Sequence, residues 1–285
     1  MTAFRDLSFA EQSWHCAMLS KICYEAPSTA TPQFNQLGYT DQCIQFMDVA
    51  SSQGYILTTD TDIMVICRGT EVTEKADAVS DLKVWYSHDD ELGLVHTGFL
   101  VSVNRLWPQV FDHLQANQQK PVYFTGHSLG AAMATIMAAR MLHLPDMVKP
   151  RALFTYGSPK PFSVIGAKTT AAGVPHHRWV NNMDIVPRSP GFLMGYGHCG
   201  TQHYINSWGN VVNYGFWHRE LDKIMALRRA GMFDDLGYVD SHGMTHYIAA
   251  LERCRDGIVL PQGKAGMAYK LRQMAMAAAE KTDQK

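Results

Sequence analysis

The most constraining feature of this chain is a short apolar run that empties into a glycine-bounded serine. Val122-Tyr123-Phe124-Thr125 reads as a buried strand, Gly126-His127-Ser128-Leu129-Gly130 follows, and the Ala- and Met-rich stretch from Leu129 to Leu142 has strong helix composition. G-x-S-x-G alone is a common pentapeptide. Between a strand and a helix it gains the context in which a serine can act as a nucleophile. A tight strand-to-helix turn exposes the hydroxyl and places it at a helix N-terminus, where backbone N–H groups and the dipole favour a developing anion. Gly126 and Gly130 remove side chains that would meet the neighbouring strand and helix. An ordinary N-cap serine between turn glycines is the alternative reading.

The rest of the chain reads as alternating elements. Residues 8–25 carry apolar positions at helical spacing, Tyr55–Thr58 and Ile63–Cys67 form a hairpin pattern, and Val101–Asn117 reads as a helix. Ala152–Tyr156 and His177–Val180 are further buried strands, and 217–230 and 244–254 are helical. Strands alternating with helices predict an α/β sheet covered on both faces. Residues 71–90 are charged without a clean period and are expected to form a polar helix or a mobile surface segment. The expected organisation is one domain over residues 1–262 and a peripheral helical tail over 263–285.

Several segments resemble the class 3 lipases, a family of fungal triacylglycerol lipases with bacterial and plant relatives. Thr125–Ala132 is similar to that family's nucleophile elbow, Cys67-Arg68-Gly69-Thr70 to its [F/C]-R-G-[T/S] strand end, and His96-Thr97-Gly98-Phe99 to its H-x-G-F segment. Thr155–Pro159 resembles T-[F/Y]-G-x-P, and Asn182–Pro187 resembles N-x-D-x-V-P. The resemblance runs from about residue 50 to about residue 250 and leaves the first 40 and last 30 residues uncovered. It implies an α/β-hydrolase fold with a mostly parallel central sheet and helices on both faces. It also implies a serine carboxylester hydrolase, lipase-like, acting on acylglycerols or related lipid esters.

The machinery then follows. Serine needs a base and the base an orienting carboxylate, met along the chain in the order Ser, acid, His. Asp184 lies just past a strand, at the sheet edge where ligands of open α/β folds bind, and the resemblance places the acid there too. For the base, His242 and His246 both stand near the start of the last core helix. His242-Gly243-Met244-Thr245-His246-Tyr247 resembles H-S-M-x-x-Y, which favours His242. The oxyanion donors are the backbone N–H of Leu129 and, by resemblance, Thr70. Arg68 is expected to pair with Asp81, His127 to be a packing residue, and His198 and His203 to be structural.

The resemblance also implies a lid after Thr70. Here Glu71–Ser80 is charged and poor in large apolar residues, unlike a segment that binds lipid when open. Phe192, Leu193 and Met194 are candidates for the acyl pocket or a gate. A short-chain esterase and a phospholipase therefore stay open, as do, outside this chemistry, a serine peptidase and a non-catalytic binding protein.

Composition sets the outer limits. The chain has 285 residues, is 46% hydrophobic and carries a formal net charge of -1, so a nucleic-acid partner is not expected. No apolar run reaches the roughly 20 residues of a membrane span. There is no HExxH, no third ligand for His176-His177 and no phosphate-cradling glycine loop, so neither metal nor cofactor is implied. A small lipid or ester substrate and a lipid interface are the expected partners. Six scattered cysteines and the lack of an apolar leader give an expectation of cytoplasmic residence, leaderless export remaining open.

Overall fold

In the computed structural model, residues 2–69, 85–145, 147–170, 173–230 and 241–261 are described, with 263–265, 268 and 272 beyond them. The chain opens with α1 (Phe9–Ile22) and α2 (Pro27–Gln36), then β1 (Ile44–Val49), β2 (Ser52–Thr58) and β3 (Ile63–Cys67). Next come β4 (Tyr86–Asp89), β5 (Gly93–His96), α3 (Thr97–Ala116), β6 (Val122–His127), α4 (Leu129–His143) and β7 (Ala152–Tyr156). The remainder is β8 (Phe162–Ser163), α5 (Val164–Thr170), β9 (His176–Asn181), β10 (Tyr196–Gly197), β11 (Thr201–Ile205), β12 (Val211–Val212), α6 (Phe216–Ala230) and α7 (Met244–Arg255).

Eight strands form the central sheet in the order β1-β2-β3-β6-β7-β9-β11-β12. The middle, from β3 through β6, β7 and β9 to β11, is parallel, and the pairings outside it are antiparallel. Parallel strands are buried on both faces, and the side-chain alternation divides them between two cores. Ile63, Val65, Cys67 and Phe124 pack with α3 and α4 on one face. Met64, Ile66, Tyr123 and Phe154 pack with α1, α2 and α7 on the other. This is the expected sheet with helices on both faces.

The N-terminal helix is better anchored than its place outside the resemblance suggests. Ser8 and Glu11 form a reciprocal capping box at its start. From its buried face, the Ser20 hydroxyl lies 2.9 Å from the Thr125 hydroxyl, and the Ser13 carbonyl accepts from the Tyr156 hydroxyl. Helix α1 therefore backs the strand that ends in the Ser128 turn and the strand beside it.

One expectation is corrected here. Within the segment read as polar helix or mobile surface, residues 86–89 form a strand, paired antiparallel with β5 in a second, four-stranded sheet ordered β10-β8-β5-β4. The reason is tertiary: the Asp89 carboxylate accepts from the Glu91 and Leu92 amides in the turn, and Tyr86 stacks on Tyr196 at 4.2 Å. Neither contact has a periodic signature in the segment itself. The lid stretch 71–80 and Asp81 lie outside the described residues. So does the 263–285 tail apart from 263–265, 268 and 272.

Candidate active site

Strand β6 ends at His127 and α4 begins at Leu129, so Ser128 alone makes the turn. Its backbone is at φ 56°, ψ -130°, a sparsely populated conformation for a residue with a side chain. Two bonds hold it: the Ser128 amide donates to the Tyr156 carbonyl at 3.0 Å, and the Ala131 amide donates to the Ser128 carbonyl at 3.0 Å. Gly130 is required by close approach, since a Cβ there would stand 2.8 Å from the Arg68 carbonyl carbon at the end of β3. The first amides of a helix have no intrahelical acceptor, so the Leu129 N–H beside Ser128 is free of a helical partner.

Asp184 sits in the loop after β9 and has no solvent exposure. A buried carboxylate needs donors, and three supply them. The Val186 amide donates to Oδ1 at 2.9 Å, the Tyr247 hydroxyl to Oδ2 at 2.6 Å, and His242 Nδ1 lies 2.9 Å from Oδ2. The loop is fixed from below by Asn182, whose Nδ2 donates to Asp222 at 2.5 Å. Because Asp184 accepts only, the His242 proton belongs on Nδ1 and Nε2 is left as a base. His242 precedes α7, whereas His246 lies on that helix and faces solvent. The structure thus joins Asp184 to His242 and not to His246.

Three residues at the site had no assigned part. Tyr247 hydrogen-bonds Asp184 from the helix that follows the histidine. Gly157, at the end of β7, has φ +57°, and a Cβ there would lie 2.8 Å from Asp184 Oδ2 and 2.9 Å from His242 Cε1. His127, expected only to pack, holds His242: its Nε2 donates to the His242 carbonyl at 2.8 Å, and its Nδ1 accepts from the Tyr24 hydroxyl at 3.0 Å. Burial, and then the neighbouring His242, push the His127 pKa well below the usual histidine value, so it stays neutral in this role. The H-x-x-x-x-Y and G-H-S spacings were visible in the sequence; the contacts that give them meaning are long-range.

Thr70 lies outside the described residues, and so does the Asp81 expected to pair with Arg68. Arg68 donates to Gln53 Oε1 at 2.6 Å and lies over the Tyr24 ring. Phe192, Leu193 and Met194 form a 3-10 turn, with Leu193 99% exposed and Met194 54% exposed, so these two side chains stand in solvent. His198 donates to the Pro187 carbonyl at 2.6 Å, and His203 stacks on Trp179.

The sheet order, the strained serine turn and the acid–histidine pair define an α/β-hydrolase fold. The solved lipase II of Rhizopus niveus aligns with a TM-score of 0.58 at 24% identity, over 69% of this chain and 80% of that one. Residues 64–194 match the family model described as lipase (class 3). In sequence, a lipase of Rhizopus niveus is 31% identical over 174 residues, 56% of this chain and 43% of the relative. A secreted mono- and diacylglycerol lipase of Fusarium solani is 33% identical over 124 residues, 39% of this chain and 34% of the relative. Over the region matched by the family model, a little under half of the chain, this protein is similar to the class 3 lipase family. It spans less than half the length of these curated relatives.

The expectation of cytoplasmic residence is overturned by relatives that are secreted lipases. Its physical basis was weak as well. Cys16, Cys23, Cys67 and Cys199 are buried, and burial pushes Cys67 up to about 12 and Cys199 to about 11. Thiols so protected stay reduced in any compartment, so their number says nothing about which one.

Proposed function

We propose that this protein is a serine carboxylester hydrolase acting on acylglycerols, with Ser128, Asp184 and His242 as its catalytic residues. The observation that carries the reading is a buried carboxylate holding His242 Nδ1 beside a strained, glycine-flanked serine turn. His242 Nε2 takes the Ser128 hydroxyl proton as the oxygen attacks the ester carbonyl. The Leu129 amide and Thr70 receive the oxyanion. His242 then returns the proton to the departing alcohol, and water repeats the sequence on the acyl-enzyme. Asp184 stays ionised throughout and stabilises the imidazolium.

A lipid surface is the partner that the exposed apolar residues support. Trp85 is 70% exposed and Leu193 is close to fully exposed. Phe216, Trp217, Leu221, Ile224 and Met225 are all exposed on α6, the helix tied by Asp222 to the catalytic loop. The names of the secreted relatives support an extracellular site of action. Residues 1–262 form the catalytic unit in this proposal, and 263–285 an appended helical tail.

The test is hydrolysis of p-nitrophenyl esters from acetate to palmitate by the wild type and Ser128→Ala. The serine variant should lose several orders of magnitude in turnover while keeping its fold. Equal inactivity of two folded proteins on every ester would leave a binding protein as the better reading.

A further inference from the structure

His176 and His177 are adjacent in sequence but divided by the sheet, because successive side chains of a strand point to opposite faces. His176 Nε2 lies 2.8 Å from the Thr155 hydroxyl on one face. His177 lies on the other, among Phe9, Phe154 and the rings that α1 covers. There it meets a histidine of the next strand. β9 and β11 run parallel, with Thr201 opposite His177 and His203 opposite Trp179, so His203 is the diagonal neighbour of His177. His177 Nδ1 and His203 Nε2 stand 3.2 Å apart.

Both rings are held in place. The Phe9 ring centroid is 4.8 Å from that of His177 and 5.1 Å from that of His203, and Trp179 stacks on His203 at 4.7 Å. Phe9 belongs to the capped first turn of α1 and is 42% exposed, and both histidines are half-buried, so solvent reaches the pair. The spacing suits a shared ligand as well as a hydrogen bond. It stands at the long end of the range for an N–H donor. Two imidazole nitrogens bound at about 2.0–2.1 Å to one tetrahedral ion lie about 3.3–3.4 Å apart, so the rings need to part only slightly. Ligation also needs free lone pairs. Burial lowers the pKa of His177, and burial, then His177 and Arg178, lower that of His203 to about 4, so both rings are neutral at pH 7.

We infer that His177 and His203 together bind a divalent transition-metal ion, with solvent in its remaining positions. Imidazole nitrogens suit zinc, copper and nickel, whereas magnesium and calcium seek oxygen ligands. Among the described residues no third His, Cys, Asp or Glu completes the set, so water does and the ion stays exchangeable. In the free pair one of the facing nitrogens carries a proton. On binding, that ring changes tautomer: the proton leaves the ligating nitrogen for water, and water returns one to the ring's other nitrogen. Both imidazoles stay neutral and no net proton is released. A bound ion clips β9 to β11 at the root of the Asp184 loop, where the Asn182 amide donates to the Ile205 carbonyl at 2.9 Å. The site stands apart from the hydrolase reading and does not depend on it.

The experiment titrates zinc chloride into the metal-free protein by calorimetry at about pH 7.5, in two buffers of different ionisation enthalpy. The wild type is compared with His177→Gln, His203→Gln and, as a control, His218→Gln, which alters an exposed histidine of α6. The wild type should show a one-to-one step whose heat is the same in both buffers. His177→Gln and His203→Gln should each weaken it at least tenfold, and His218→Gln by less than twofold. No step, or a step that survives either variant of the pair, overturns the inference. So does a heat that depends on the buffer, which marks a proton-releasing ligand such as a thiol. A reading independent of how the variants fold comes from the wild type with one equivalent of copper(II). Its paramagnetic resonance should carry coupling to two imidazole nitrogens, and coupling to any other number overturns the inference as well.

Discussion

Asp184 has no water to solvate it, and its charge is held by one backbone amide, one phenol and one imidazole. Each donor is correspondingly expensive to lose. Tyr247→Phe keeps the ring packing and removes one bond to a buried charged group, which should cost about 1.5–3 kcal/mol of stability. It should also lower kcat more than it raises KM, since the misplaced base matters only in the chemical step; denaturant titration and ester kinetics check both. Gly157→Ala is the sharper case. The new methyl would need the space of Asp184 Oδ2 and the His242 ring, and the backbone is in the left-handed region. Turnover should fall at least a hundredfold, while far-UV dichroism stays that of the wild type. The tight turn at Ser128 and the pairing of Asp184 with His242 were legible in sequence because motif and chain order carry them. Gly157 and Tyr247 were not, because their importance lies in what touches them, and those partners are on other elements.

Among the elements, α6 is the one whose surface contradicts its surroundings. Phe216, Trp217, Leu221, Ile224 and Met225 face solvent, while Asp222 on the same helix is buried and accepts from Asn182, Tyr204 and Ser207. An amphipathic helix with its apolar side outward suits a lipid interface. The double variant Phe216→Ser, Trp217→Ser should partition into phospholipid vesicles at least tenfold less than the wild type in a flotation assay. It should retain its activity on soluble esters. Equal partitioning would mean that this face has no part in lipid binding. Strands β3, β6, β7 and β9 were readable as apolar runs, and α1, α3 and α4 from composition and period. The hairpin β4–β5, the short strands β8 and β10, and α2 were missed for a common reason. They are short or polar, and contacts with other elements, such as Phe34 of α2 on Tyr55 and Val95 of β5 opposite Phe162, hold them in place.

At the scale of the whole molecule, the interior keeps several histidines neutral. Burial lowers His15 and His96 to about 4 and pushes His176 and His198 well below their usual value. In the unfolded chain they would titrate near ~6.5. Between those values the unfolded state binds protons that the native state refuses, so stability rises with pH across that window and is lost as pH falls through it. The melting temperature should hold above about pH 7 and fall steadily from about pH 6.5 toward 4. A flat profile from 7 to 5 would mean that these rings are charged in the fold.

The placement of α1 bears on how the chain is made. Its buried face meets Tyr156, a residue 143 positions downstream of Ser13. At ~5–20 residues per second a ribosome needs on the order of 10 s to deliver that partner. Until then the face of α1 that carries Cys16, Leu19 and Ile22 has only part of its final packing surface, the neighbours contributed by α2, β3 and β6; β7 adds the next part and α7 the last.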